Sequence, residues 1–189
     1  MFTGDRAGVL KDPQQGTEFS QLSCAIRGGS MPVSKSADNK RILIFGATGT
    51  WGSGALLECL DHPEITEVIC ILRRSSGRTH PKLRKILHRD FEDFSAISRE
   101  FAGIDACFWA LGSPSSGHTA EEFTRIEHGF VTAAAKALHA QSPQCRFVIV
   151  SGPGADRSET SRQLWARIKG RAEKTNAGRE RGMLHWPHA

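Results

Sequence analysis

Apolar positions along this chain gather into five short runs separated by polar or helix-period stretches. Residues 42–45 are apolar without a break, as a strand buried on both faces requires. Residues 67–72, 105–112 and 146–150 have similar character, and residues 83–87 form a weaker run. Between them the spacing predicts helices over residues 53–60, 93–101, 119–140 and 161–174. Asp61-His62-Pro63 ends the first of these. Thr119-Ala120-Glu121-Glu122 has the S/T-x-x-E form of a capping box and opens the third. Strands alternating with helices predict a parallel sheet covered on both faces. The expected architecture is α/β, a doubly wound sheet of five strands in the order 3-2-1-4-5. Its ligand crevice should lie at the carboxyl ends of strands one and four. Nothing after residue 173 reads as a sixth strand, so the sheet is short at its C-terminal end. Strand five then keeps an unpaired edge, and marginal stability and self-association are expected.

The first strand runs into Gly46-Ala47-Thr48-Gly49-Thr50-Trp51-Gly52. Strand, G-x-x-G-x-x-G turn and helix in this order form the start of a Rossmann dinucleotide-binding unit. Gly46 permits the sharp turn, Gly49 lets bare backbone approach a pyrophosphate, and Gly52 lets the helix pack close to the strand. Thr48, Thr50 and Trp51 line the same turn. The helix N-terminus offers N–H groups and a positive dipole end to the phosphates.

Charge and cysteine usage narrow the picture. The chain of 189 residues carries a formal charge of +5. Residues 41–156 hold 12 basic and 13 acidic side chains, whereas residues 157–189 hold 8 basic and 3 acidic. No aromatic residues interleave with the basic ones, so a solvated helix and an irregular basic tail (174–189) are expected rather than a nucleic-acid surface. Residues 1–40 show no sustained period and read as a disordered leader, with Met31 as an alternative start. The domain is expected over residues 41–173. The five cysteines form no C-x-x-C pair. Cys70 and Cys107 lie in apolar runs and are expected to be buried free thiols. That suits a reducing, cytoplasmic setting, and no run is long enough to span a membrane. The histidines have no ligand spacing, so no metal is expected. Without a G-x-S-x-G elbow, a hydrolase is not expected either.

Selectivity follows from the end of strand two. NAD sites usually carry an acidic residue there for the ribose hydroxyls. This chain has Arg73-Arg74 instead. Guanidinium groups match a 2′-phosphate in charge and fork geometry, which favours NADP, with NAD as the alternative. Asp90 and Phe91 follow strand three and would meet the adenine edge and face; Asp90 would serve equally as a turn residue. Ala110, Leu111 and Gly112 end strand four with small side chains and bare backbone where the cofactor crosses.

The G-A-T-G-T-W-G turn, the Arg-Arg pair, the A-L-G turn and the segment Trp165-Ala166-Arg167-Ile168-Lys169-Gly170-Arg171-Ala172-Glu173 together resemble the atypical short-chain dehydrogenase/reductases. The similarity extends to the Tat-interacting oxidoreductase-like proteins and the NAD(P)-dependent epimerase/dehydratases, over residues 41–173. It implies a Rossmann fold, an NADP(H) site, a Tyr-x-x-x-Lys pair and a Ser after strand five. Lys169 matches the Lys, and the Ser role falls to Ser151. The Tyr position is Trp165, and the chain has no tyrosine at all. Residues at i and i+4 share a helix face. In the family the Lys holds the nicotinamide ribose and lowers the phenol's pKa, whereas an indole N–H is a donor only. Three readings follow: an NADP-dependent oxidoreductase with weakened proton transfer, a non-catalytic NADP(H)-binding regulatory protein, or a shortened gene product.

Overall fold

The computed structural model describes residues 39–114 and 116–177. Residues 1–38 of the expected leader and most of the basic tail lie outside the described residues, while Lys40, expected to end the leader, already belongs to the first strand. Five parallel strands form one sheet: β1 (Lys40–Phe45), β2 (Ile65–Leu72), β3 (Leu83–Leu87), β4 (Ala106–Trp109) and β5 (Arg146–Ile149). Their order is β3-β2-β1-β4-β5, as the alternation predicted. The central pairing sets Ile44 of β1 between Cys70 of β2 and Phe108 of β4.

Helix α1 (Thr50–Asp61) packs on one face, burying Ala55, Leu56, Cys59 and Leu60. The other face carries Leu43, Phe45, Ile69, Ile71 and Trp109. It is covered by a 3₁₀ segment (Ser95–Phe101) and by helix α3 (Phe130–Gln141). Phe45 is the hub there, with ring centroids 4.6 Å from Trp109, 5.8 Å from Phe94, 6.2 Å from Phe91 and 6.3 Å from Phe101. Full burial of each such side chain contributes about 1.5–3 kcal/mol. Cys59, Cys70, Cys107 and Cys145 are all buried and free. Burial pushes the thiols of Cys59, Cys70 and Cys145 up to about 12, which keeps them protonated.

Three elements depart from the pattern's bounds. The segment expected as a helix over 93–101 is 3₁₀, because Asp93 accepts from the Ser95 amide and hydroxyl, both at 2.8 Å, and tightens the turn. The long helix is broken: α2 (Ala120–Thr124), a π turn (Arg125–Gly129), then α3. Its capping box is present, with Glu122 N donating to Thr119 Oγ1 and Thr119 N to Glu122 Oε2. Helix α4 (Leu164–Asn176) starts and ends later than expected. Its start is delayed because Asp156 Oδ2 holds the Ser161 amide at 2.7 Å in the preceding loop.

Candidate functional site: the glycine turn and the carboxyl edge of the sheet

Gly46 leaves β1 at φ +76, in the left-handed region that favours glycine, and a Cβ there would lie 2.6 Å from the Ala110 carbonyl. The turn therefore presses β1 against the exit of β4. A Cβ on Gly52 would lie 2.1 Å from the Gly46 carbonyl oxygen, so only glycine lets α1 start this close to the strand. Gly49 differs. Its φ is −86, and an added Cβ would come no nearer than 3.4 Å to its neighbour. Glycine at 49 is thus not demanded by the fold. Gly49 is the N-cap of α1 and gives no side-chain cap, and the first turn holds no acidic residue. Gly49 N donates to Gly46 O at 2.9 Å, and the uncapped end of α1 turns its positive dipole end toward an anion. Thr48, Thr50 and Trp51 are exposed around it.

Beside the turn lies a cavity of about 250 Å³, lined by Thr48, Ser53, Leu72, Ser76, Arg78 and Lys85 among others. Arg73 and Arg74 are exposed at the end of β2, outside that lining. Lys85 Nζ donates to the carbonyls of Ser76 at 2.9 Å and Arg78 at 3.0 Å, which folds the β2–β3 loop over the cavity. Asp90 acts as a turn residue, its Oδ1 accepting from the Glu92 amide at 3.0 Å and the Asp93 amide at 3.3 Å. The Phe91 ring expected to meet adenine instead lies in the core at 3% exposure, because the cluster around Phe45 takes its faces.

Ala110, Leu111 and Gly112 leave β4 across Gly46, Ala110 N donating to Phe45 O at 3.1 Å. Here the second half of the chain arrives. Lys169 Nζ of α4 stands 2.7 Å from Glu127 Oε2, and Glu127 is a buried carboxylate on the π turn. Glu127 Oε1 accepts from Ser113 N at 2.5 Å. A Cβ at Gly112 would meet Glu127 Oε1 at 3.1 Å and Lys169 Nζ at 3.6 Å, so the ion pair rests against bare backbone.

The loop from β5 to α4 is fastened to the helix. A Cβ on Gly170 would lie 1.9 Å from the Asp156 carbonyl oxygen, so the loop backbone crosses α4 there. Buried Glu173 receives Ser151 Oγ at 2.5 Å and Arg157 Nε at 2.7 Å. Trp165 lies over the Gly152–Gly154 turn; Cβ atoms added to those glycines would sit 3.6 and 3.4 Å from its ring.

Residues 46–180 match the family described as NAD(P)H-binding. The chain belongs to that family, and its domain has the Rossmann fold. It is 30% identical to the rat protein HTATIP2 over 138 residues, which is 71% of this chain and 55% of the relative. It is also 30% identical over 132 residues to FMP52-2 of Scheffersomyces stipitis, a protein named as mitochondrial, covering 69% of this chain and 56% of that one. The chain therefore spans about half the length of these curated relatives. Among solved structures, uronate dehydrogenase from Agrobacterium tumefaciens aligns with a TM-score of 0.57 at 20% identity, over 72% of this chain and 54% of that one. UDP-glucuronic acid 4-epimerase from Bacillus cereus, solved with NAD, aligns with a TM-score of 0.58 at 15% identity, over 74% and 52%. These likenesses are of fold.

Within this NAD(P)H-binding domain, the fold brings Gly46, Gly49, Gly52, Ala110, Leu111, Gly112 and Lys169 to one edge of the sheet. Ser151 is drawn instead to Glu173 on α4. Four residues were missed by sequence reasoning: Arg78, Lys85, Glu127 and Glu173. Only Glu173 carried a signal, as the last letter of K-G-x-A-E. That motif now has a physical basis: Lys169 meets Glu127, Gly170 admits the loop, Ala172 is in the core and Glu173 ties the loop down. No helix among the described residues is long and apolar enough to cross a membrane.

Proposed function

We propose that this domain binds NADP(H) in preference to NAD(H). The observation that carries this reading is the basic character around the end of β2, where Arg73 and Arg74 are exposed and Arg78 and Lys85 line the adjoining cavity. A 2′-phosphate there meets charge-assisted donors, each contributing about 1.5–3 kcal/mol. The pyrophosphate would lie at Gly49 and the N-terminal end of α1. The adenine edge meets the turn at Asp90 and the backbone of Phe91. The nicotinamide half crosses Ala110, Leu111 and Gly112 to reach Lys169. Titration calorimetry with NADPH and NADH tests the preference, and Arg74→Glu is expected to remove most of it. Equal affinities in the parent would overturn the reading.

On chemistry, we infer an oxidoreductase site with weakened proton transfer. Trp165 stands one helical turn before Lys169, and loss of a general acid typically costs about 10²–10⁴ in rate. A nicotinamide held by Lys169 and the backbone of Ala110 to Gly112 would supply hydride, and orientation would remain a separate contribution. Ser151 is the remaining hydroxyl candidate. Its hydrogen bond to Glu173 favours the second reading, a non-catalytic NADP(H)-binding regulatory protein. NADPH consumption against aldehydes, ketones and quinones separates the two readings. Slow turnover that rises in Trp165→Tyr supports the first, and binding with no turnover in either protein supports the second. The four buried free thiols suit a reducing, cytoplasmic compartment. Self-association through the edge of β5 is expected on size-exclusion chromatography.

A further inference from the structure

We propose that Glu127 is a positioning residue that holds the Lys169 ammonium for the nicotinamide half of the cofactor. The inference rests on the reading that a dinucleotide occupies the crevice. Glu127 has a side chain only 2% exposed, on the π turn between α2 and α3. A π turn is rare and frequently sits at functional sites. A carboxylate buried to this degree is costly unless paired and hydrogen-bonded. Here both oxygens are used: Oε2 by Lys169 Nζ at 2.7 Å, and Oε1 by Ser113 N at 2.5 Å. The second bond fixes the carboxylate to the chain that leaves β4.

The first bond fixes the ammonium beside Gly112, where an added Cβ would lie 3.6 Å from Nζ. Lys169 remains 23% exposed, so the cation is held at the crevice and not sealed in the core. An ammonium has three N–H donors. One is directed to Glu127, and two remain for hydroxyl groups of a ribose. Without this anchor a flexible lysine stem would sample many positions, and each ligand contact would carry an ordering cost. The carboxylate also compensates the Lys169 charge. A phenol introduced at Trp165 would therefore gain less acidity from Lys169 than an uncompensated ammonium would give.

The test compares whole cofactors with their adenine halves on the full chain. NADPH is paired with adenosine 2′,5′-bisphosphate, and NADH with ADP. Each is titrated against the parent, Glu127→Gln, Lys169→Met and the double variant. Glu127→Gln is expected to weaken NADPH about tenfold while leaving the adenine half unchanged. The double variant should bind no worse than Lys169→Met, because Glu127 acts through Lys169. A general structural role would weaken whole and half ligands alike. An unchanged whole-to-half affinity ratio in Glu127→Gln would overturn the proposal. Failure of every half and whole ligand to bind the parent would instead overturn the dinucleotide reading on which it rests. Should Glu127→Gln not fold, the same ratio is read on Glu127→Asp, which keeps the charge but shortens its reach; an unchanged ratio there is equally decisive against the proposal.

Discussion

A Cβ on Gly52 would lie 2.1 Å from the Gly46 carbonyl oxygen, and one on Gly170 would lie 1.9 Å from the Asp156 carbonyl oxygen. In both places a glycine in a helix lets a loop backbone cross it. The two crossings are used differently. The turn from β1 to α1 is short and nearly bare of side-chain hydrogen bonds, so the positive dipole end of α1 is left without a side-chain cap. The loop from β5 to α4 spends its polar groups on itself. Asp156 Oδ1 takes the Ser158 amide at 2.9 Å, and Glu173 takes Ser151 and Arg157. A crossing made by backbone alone leaves a helix end for a ligand. A crossing fastened by side chains makes a rigid support, and here it supports the helix that carries Lys169.

The comparison breaks most severely at the crossings. Gly52→Val and Gly170→Val each force overlap with backbone, and each is expected to cost about 3 kcal/mol or more, which moves the urea midpoint far below that of the parent. A near-normal transition in Gly170→Val would mean that the β5–α4 loop can lift from the helix at little cost. Gly49→Val separates fold from ligand. Its φ of −86 and the ordinary 3.4 Å contact that an added Cβ would make predict a stable domain, while the branched side chain stands where the pyrophosphate would lie. Circular dichroism melts should be near those of the parent, and NADPH titration should show no binding.

A smaller effect is expected at the fastening. Glu173→Gln keeps the shape but loses the charge toward Arg157, which is 42% exposed and so partly screened. The expected cost is about 1–2 kcal/mol by urea titration. Gly52-side properties, including affinity for the adenine half, should not move. Smallest is the pH effect at Asp156. Its carboxyl is held down to about 2, first by the Ser158 hydroxyl and then by the Ser161 amide. A depressed carboxyl contributes stability that is present above its ordinary range near 4 and lost as pH falls through about 2. Hydrogen-exchange protection over residues 156–163, taken relative to the intrinsic rate at each pH, should therefore fall between about pH 4 and 2, ahead of protection in β1. A uniform fall in protection across the sheet would show that the loop has no separate acid transition.

Much of the fold was legible in the chain. The run 42–45 with glycines following it specified β1, the turn and α1, because strand burial and positive φ are local demands. The Thr119–Glu122 box was legible for the same reason, since its partners are three residues apart. Alternation of strands and helices gave the sheet order, because few connections between parallel strands are allowed. The site was legible only in its backbone part. The Phe91 ring has the composition of a ligand contact, yet the core around Phe45 claims it. Glu127 looked like one more charge on a helix until the π turn and α4 put it against Lys169.

The sequence by itself determined the strand–turn–helix start, the sheet order, the buried thiols and the absence of a tyrosine before Lys169. Tertiary structure decided which charges meet. It paired Lys169 with Glu127, Ser151 with Glu173, and Lys85 with the β2–β3 loop. The physical reason is range. Periodicity, caps and glycine dihedrals act over a few residues, whereas an ion pair requires two distant segments to be packed within about 4 Å, and no local pattern in the chain encodes that distance.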